Sequence, residues 1–232
     1  WLININTPIL EPILNITFFA ILFTIFAVTG VAHSINVVDG LNGLSLSIVI
    51  TIGLALSMMA SSLKDEFLVT MNLCIVMIAL GVLIFNFPFG KIFIGDAGAY
   101  SFGYVLAWSA ILMIYRNPEV SAWSVLLCFF WPVMETLYSI YRRVADKKQI
   151  AKADNKHFHH LILNLVTKNQ YFNGNIHFTN PISTICLLPF HIVPSLLAII
   201  LIFDSEIALI SIFVLAAFYI FSYKFLIKRC SN

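Results

Sequence analysis

The sequence predicts an all-α, polytopic membrane protein with about seven transmembrane helices in this chain. Three observations carry that expectation. Of the 232 residues, 60% are hydrophobic and only 10% are charged, against about 25% charged in a soluble globular chain. The apolar residues fall in runs of about twenty, the length a helix needs to cross a bilayer. The charged residues gather in the gaps between those runs. Length alone would allow one or two soluble domains, but composition points to a single integral membrane domain over residues 1–232. The net charge of +2 is too small to argue for nucleic acid, and none is expected as a partner.

The expected spans are 14–33, 44–63, 67–87, 97–115, 120–141, 181–203 and 207–224, each bounded by residues that stop a membrane helix. The first closes on the turn-forming Asn36–Gly43 stretch, the second on Lys64-Asp65-Glu66 and the third on Pro88, Gly90 and Lys91. Arg116 ends the fourth, Arg142-Arg143 the fifth, and Asp204-Ser205-Glu206 separates the last two. One long polar segment, 142–179, is expected as a loop, and the remaining connections are short, so neighbouring helices should run antiparallel. No cleavable signal peptide is expected, because the start is not basic. Cys74, Cys128, Cys186 and Cys230 lie in or beside apolar runs without metal-ligand spacing and read as free thiols.

Orientation follows from the basic residues. Placing the Asp39 turn, the Asp96 turn, segment 142–179 and the C-terminus on one side gathers eleven Lys and Arg there, leaving only Lys64 and Arg116 opposite. Basic residues stay cytoplasmic, so the first side is expected to face the cytoplasm.

The unusual polar residues collect on that same side. Asn36, Asp39, Gly40, Asn42 and Gly43 close the first span. Asn86, Lys91, Phe93, Gly95, Asp96 and Gly98 join the third to the fourth. Glu135 lies one to two turns inside the fifth, followed by Arg142 and Arg143, and His157, His159 and His160 sit in the long loop. Each cluster has an ordinary structural explanation. Asp39-Gly40 and Asn42-Gly43 suit turns, Asp96 suits a helix cap, Glu135 suits a buried hydrogen-bonded carboxylate, and the basic run suits contact with anionic lipid headgroups. His191, between Pro189 and Pro194, reads as a packing and kink feature. Ionisable groups are sparse in membrane proteins and tend to sit where they act, and here carboxylates, a lysine, glycines and imidazoles share one face. That is the equipment for a Mg²⁺-bound diphosphate: Mg²⁺ takes one or two carboxylates plus phosphate oxygens and waters, while cations and exposed N–H groups balance phosphoryl charge.

These segments carry a family resemblance. Asn36-Val-Val-Asp39-Gly40-Leu-Asn42-Gly43, Lys91-Ile-Phe93-Ile-Gly95-Asp96-Ala-Gly98, Pro132-Val-Met-Glu135 followed by Tyr141-Arg142-Arg143, and His157-Phe-His159-His160 stand in the same order as in the polyprenyl-phosphate N-acetylhexosamine-1-phosphate transferases. The chain resembles that family from about residue 18 to 229, and the His-x-His-His form looks more like the WecA-type than the MraY-type branch.

The resemblance implies transfer of a HexNAc-1-phosphate, GlcNAc-1-phosphate first among the candidates, from a UDP-sugar to undecaprenyl phosphate, with release of UMP. That is a first membrane step of cell-surface polysaccharide synthesis, whether cell wall or lipopolysaccharide. It implies Asp96 as the protein ligand of Mg²⁺, with Mn²⁺ as the alternative ion, and Asp39 as organiser of the site. Phe93 would stack on uracil near Gly40 and Asn42, and Asn86 would line the nucleotide pocket beside Asn36 and Lys91. His157, His159 and His160 would hold phosphates or sugar, with Arg142, Arg143 and Glu135 nearby. A homodimer in the lipid bilayer is compatible with it.

Two positions depart from the family pattern, which has a second Asp where this chain has Asn42 and an Asp in the WecA branch where it has Glu135. The family's Asp-Asp-x-x-Asp motif does not occur in this sequence. An N-terminally truncated sequence is the expected reason, with a catalytically inactive family member as the alternative and a membrane transporter as the more distant one.

Overall fold

The hydrophobic surface of this protein faces outward. On the last helix Ile207, Ile210, Phe213, Val214, Phe218, Phe221 and Phe225 are all exposed, at the three- and four-residue spacing that forms one helical face. Water tolerates no apolar face of that extent, whereas a bilayer requires one. The interior shows the opposite pattern: Thr24, Ser34, Ser45, Ser57, Asn72, Ser109 and Ser124 are buried. Several of these hydroxyls donate back into their own helix, as Thr24 does to the Ala20 carbonyl at 2.7 Å and Ser195 to the His191 carbonyl at 2.9 Å. Others join helices, as Ser109 does by donating to Asn72 Oδ1 at 2.9 Å. Small hydroxyl and amide residues at helix contacts are the usual means of association where lipid supplies no hydrophobic drive.

The computed structural model describes residues 11–147, 156–168 and 175–231. Among them the helices are α1 (Glu11–Leu14), α2 (Thr17–Val37), α3 (Leu44–Ser62), α4 (Glu66–Asn86), α5 (Gly95–Arg116), α6 (Ala122–Cys128), α7 (Phe130–Ala145), α8 (Phe158–Lys168), α9 (Ile176–Ile200) and α10 (Ser205–Ser231), and no strand occurs among the described residues. The protein is an all-helical, multi-pass membrane protein. Six helices are long and apolar enough to cross a bilayer, namely α2 to α5, α9 and α10.

The expected fifth span differs from a straight rod: α6 and α7 together are long and apolar enough to cross a bilayer but bend by 82°. The physical reason lies at Pro132. It has no N–H to offer the Cys128 carbonyl, and its ring crowds that position. The chain closes α6 with a short bond from Phe129 N–H to the Leu126 carbonyl (3.0 Å) and opens α7 with one from Val133 N–H to the Phe129 carbonyl (3.1 Å). The expected loop 142–179 also needs correction. Its first residues complete α7, α8 lies within it, and α9 begins at Ile176, where Asn175 caps the helix by accepting the His177 N–H at 3.0 Å. Lys148 and Lys152 fall outside the described residues. Helix α9 continues through Pro181, Pro189 and Pro194.

The most buried span is α3, packed against α4, α5, α6 and α9. Helix α2 lies on α5, where a Cβ on Gly103 would come within 2.6 Å of the Ala32 Cα. Only glycine permits so close an approach. Behind the His segment Trp131 meets Phe158, Phe190 and Tyr219 at ring separations of 4.9, 5.1 and 5.5 Å. These contacts tie α7, α8, α9 and α10 together at about 0.5–1.5 kcal/mol per ring pair beyond simple burial.

Candidate active site

Two polypeptide segments form the floor of the site. The first is the turn 38–43 between α2 and α3. It is held by Asp39 N–H to the Asn36 carbonyl (3.2 Å) and Gly40 N–H to the Val38 carbonyl (2.9 Å). The second is the segment 87–94 between α4 and α5, which reverses through Gly90 N–H to the Asn86 carbonyl (2.7 Å) and Lys91 N–H to the Phe85 carbonyl (3.0 Å). Asn86, buried at the end of α4, joins the two: its Oδ1 accepts the Gly43 N–H and its Nδ2 donates to the Ile92 carbonyl at 2.7 Å. Both ends of the Asn86 amide are thus engaged by protein backbone.

Asp39 and Asp96, one on each side of the junction between these segments, lie within electrostatic reach of one another. Burial pushes the half-buried Asp39 carboxyl upward. The Ser45 hydroxyl, donating to Oδ1, pulls it down, and the Asp96 charge adds a further upward push. Asp96 itself is exposed in the first turn of α5, after Gly95 at φ 64°. Beside it on the same loop Phe93 is 71% exposed and Lys91 is also exposed. An exposed aromatic ring, an ammonium and a carboxylate therefore share one short connection.

The His segment closes over the turn. Glu135, 1% exposed on α7, accepts three hydrogen bonds: from His157 Nδ1 (2.9 Å), from the Phe158 N–H (2.9 Å) and from the Tyr219 hydroxyl (2.6 Å). Its carboxylate is a bracket for the start of α8. The bracket presents His159 to the turn so closely that a Cβ on Gly40 would lie 2.3 Å from His159 Nε2. Burial holds the His159 imidazole down to about 3, so the ring is neutral. His157 stacks on it at 5.5 Å and His160 lies 4.3 Å from it, both half-buried. The cluster therefore divides into one sequestered ring over Gly40 and two partly open ones.

The remaining expected residues sit at varying distance from this centre. Asn36 is half-buried on the last turn of α2. Asn42 is engaged by its neighbours, its Nδ2 donating to the Pro88 carbonyl at 2.8 Å. Arg142 lies over the Tyr223 ring at 5.9 Å, and Arg143 is buried on α7. Four contributors escaped the sequence reading: Ser45, which holds Asp39; Asn180 and Thr184, which hold Asn42; and Tyr219, which holds Glu135. Tyr219 carried a usable signal, since a tyrosine pair at four-residue spacing, Tyr219 and Tyr223, stands in an otherwise greasy span and a buried phenol seeks a partner. Asn180 and Thr184 carried none, because their partner lies 138 and 142 residues away, and Ser45, though only six residues from Asp39, looks like any other serine at the start of a span.

Among the described residues no three His, Cys, Asp or Glu side chains gather as a metal cage. The arrangement suits instead a hard cation completed by substrate oxygens: Asp96 is open to solvent, Asp39 is within electrostatic reach, and Mg²⁺ needs only one or two protein carboxylates.

The chain is similar to known proteins in the same region. Residues 2–114, which contain Asp39, Asn86 and Asp96, match glycosyl transferase family 4. A probable undecaprenyl-phosphate N-acetylglucosaminyl 1-phosphate transferase of Bacillus subtilis is 29% identical over 162 residues, covering 68% of this chain and 44% of that protein. Phospho-N-acetylmuramoyl-pentapeptide-transferases of Staphylococcus haemolyticus and Staphylococcus epidermidis are 28% and 32% identical, covering 67% and 68% of this chain and 48% and 50% of their own lengths. The chain spans about half the length of the curated relatives it matches. The Asp39 turn and the Asp96 loop both lie inside the matched region, so residues 2–114 carry the glycosyl transferase family 4 likeness within a helical membrane fold.

Proposed function

We propose that this protein takes part in transferring an N-acetylhexosamine-1-phosphate from a UDP-sugar to undecaprenyl phosphate at the cytoplasmic face of the membrane. An oxygen of the lipid phosphate attacks the β-phosphorus of the sugar nucleotide, the bond to the bridging oxygen breaks, and UMP leaves with that oxygen. The observation that carries the reading is the convergence of Asp39 and Asp96 across two segments, beneath a His cluster and beside the exposed Phe93 and Lys91. Phe93 offers a flat face to uracil, since base–aromatic stacking needs an open ring. Lys91 offers positive charge to the diphosphate, and His157 and His160, grouped around His159, offer imidazole nitrogens. Asp96, with Asp39 close by, would hold Mg²⁺. Bound there, the ion would neutralise charge developing on the phosphoryl oxygens. A lipid acceptor accounts for placing this chemistry at the ends of membrane helices.

GlcNAc-1-phosphate is the transferred group we favour, supported by the His-x-His-His segment and by the name of the Bacillus subtilis relative. The test is radiolabelled transfer in membranes carrying the protein, with undecaprenyl phosphate and either UDP-GlcNAc or UDP-N-acetylmuramoyl-pentapeptide as donor. Lipid-linked GlcNAc that appears with Mg²⁺ and disappears with a chelator is the expected result. Product from the pentapeptide donor alone would reassign the substrate, and product from neither would overturn the proposal.

A further inference from the structure

Asn42 is bound through its N–H, its carbonyl and its side-chain Nδ2, and two of its partners come from a helix remote in sequence from the site loops. Its N–H donates to Asn180 Oδ1 at 2.9 Å, its carbonyl accepts the Thr184 hydroxyl at 2.8 Å, and its side-chain Nδ2 donates to the Pro88 carbonyl at 2.8 Å. The amide lies flat against Gly90, where an added Cβ would be 2.8 Å from Asn42 Oδ1, on a backbone at φ 60°. Asn180 and Thr184 are one turn apart near the start of α9, so together they hold the two successive peptide groups that flank the Asn42 Cα. Reciprocally, Asn86 at the end of α4 reaches back to the Gly43 N–H and the Ile92 carbonyl. Two asparagines thus exchange amide bonds between the segments that carry Asp39 and Phe93, and α9 anchors one of them.

We infer that Asn180 and Thr184 are positioning residues for the nucleotide end of the transfer site, acting through Asn42, whose role in this chain depends on its being an amide. The inference rests on the function proposed above. The chemistry is directional. Nδ2 must donate because Pro88 presents a carbonyl, so an aspartate at 42 would set a carboxylate against that oxygen and release segment 87–94. Asn180 need only accept, so an aspartate there keeps the bond. Thr184 need only donate, so a serine there keeps the bond as well. Loosening these contacts lets the turn and the Phe93 segment separate, which weakens capture of the sugar nucleotide before it affects the reacting groups.

Michaelis constants for UDP-GlcNAc, measured in membranes alongside hydrogen–deuterium exchange of peptides covering residues 38–44, test this. Asn180→Ala and Thr184→Val are expected to raise KM about 10-fold, the scale of one ordering hydrogen bond. The maximal rate should change far less, and exchange across 38–44 should accelerate. Asn180→Asp and Thr184→Ser are expected to restore both readouts, and Asn42→Asp to behave like Asn180→Ala. Faster exchange with an unchanged KM would make the grip merely structural and overturn the inference, as would failure of both conservative variants to restore KM. Absence of transfer in the unsubstituted protein counts instead against the function on which the inference rests.

Discussion

The two ends of the helical bundle use polar side chains differently. At the far end each fixes a helix terminus. Asp65 caps α4 by accepting the Leu68 N–H at 3.2 Å and pairs with Arg116 at the end of α5 at 2.6 Å. Ser121 caps α6, and Ser124 donates to the Ala198 carbonyl on α9 at 2.7 Å. At the site end Asn42 and Asn86 fix the backbone between helices and Glu135 seats α8 against α7, while Asp96, Phe93 and Lys91 on that frame stay exposed. Polarity in a membrane protein is thus informative by what it holds. A side chain that satisfies a helix end supports the span, and one that shapes a loop prepares a surface for something else.

The sharpest way to break the comparison is at Asp96. Asp96→Asn keeps size and removes charge, and it is expected to lower UMP release by about 100-fold or more, the scale of losing a pre-positioned charge-stabilising group. Release within twofold of the unsubstituted protein would make the two ends alike. The next test is steric. Gly40→Ala drives a Cβ to 2.3 Å from His159 Nε2, and because that ring is buried its displacement is expected to carry α8 with it. Tryptic cleavage after Lys156 should accelerate, and the double variant Gly40→Ala/His159→Ala, which removes the clash, should regain protection. Equal cleavage of the single and double variants would show that the contact does not seat α8.

Glu135 sharpens the comparison in stability. Glu135→Ala leaves the His157 ring, the Phe158 N–H and the Tyr219 hydroxyl unpartnered by it, and each buried orphan costs about 1–3 kcal/mol. Tyr219→Phe removes one bond and leaves Glu135 two donors, for about 1 kcal/mol. Thermal unfolding in detergent should therefore rank Glu135→Ala well below Tyr219→Phe. The reverse order would mean that the phenol, and not the carboxylate, is the bracket.

The spans were legible because lipid demands apolar length, and α2 to α5 supply it within four residues of the expected bounds, while α9 begins five residues earlier and α10 ends seven later than expected. The bend at Phe129 was hidden because Pro132 lies inside an apolar run, where composition alone reads continuity. Helix α8 was hidden because Phe158–Lys168 is short and embedded in polar sequence, and its stability comes from Glu135 and the Trp131 cluster. The Asp39, Asp96 and His clusters were visible as local groups of unusual residues. Asn180 and Thr184 were not, because the groups that give them meaning lie 138 and 142 residues away. Asn86 was visible, but its commitment to the Gly43 and Ile92 backbone follows only from the fold.

The smallest expected effect lies at the far end and is a matter of pH. Arg116, donating to Asp65, holds that carboxyl below its ordinary value, against an opposing push from burial, and the Leu68 N–H adds to the lowering. A carboxyl depressed by folding stabilises the folded state above the unfolded value of 3.8, and that contribution drains away as pH falls through the folded value below it. Arg116 is about half exposed, so solvent screens the pair and the effect is modest. Asp65→Asn should lower the unfolding temperature slightly at pH 7 and flatten its decline at the acid extreme, while leaving transfer and KM for the sugar nucleotide unchanged. A loss of transfer on that substitution, with folding intact, would mean that the far end also shapes the reaction site, and the division between the two ends would fail.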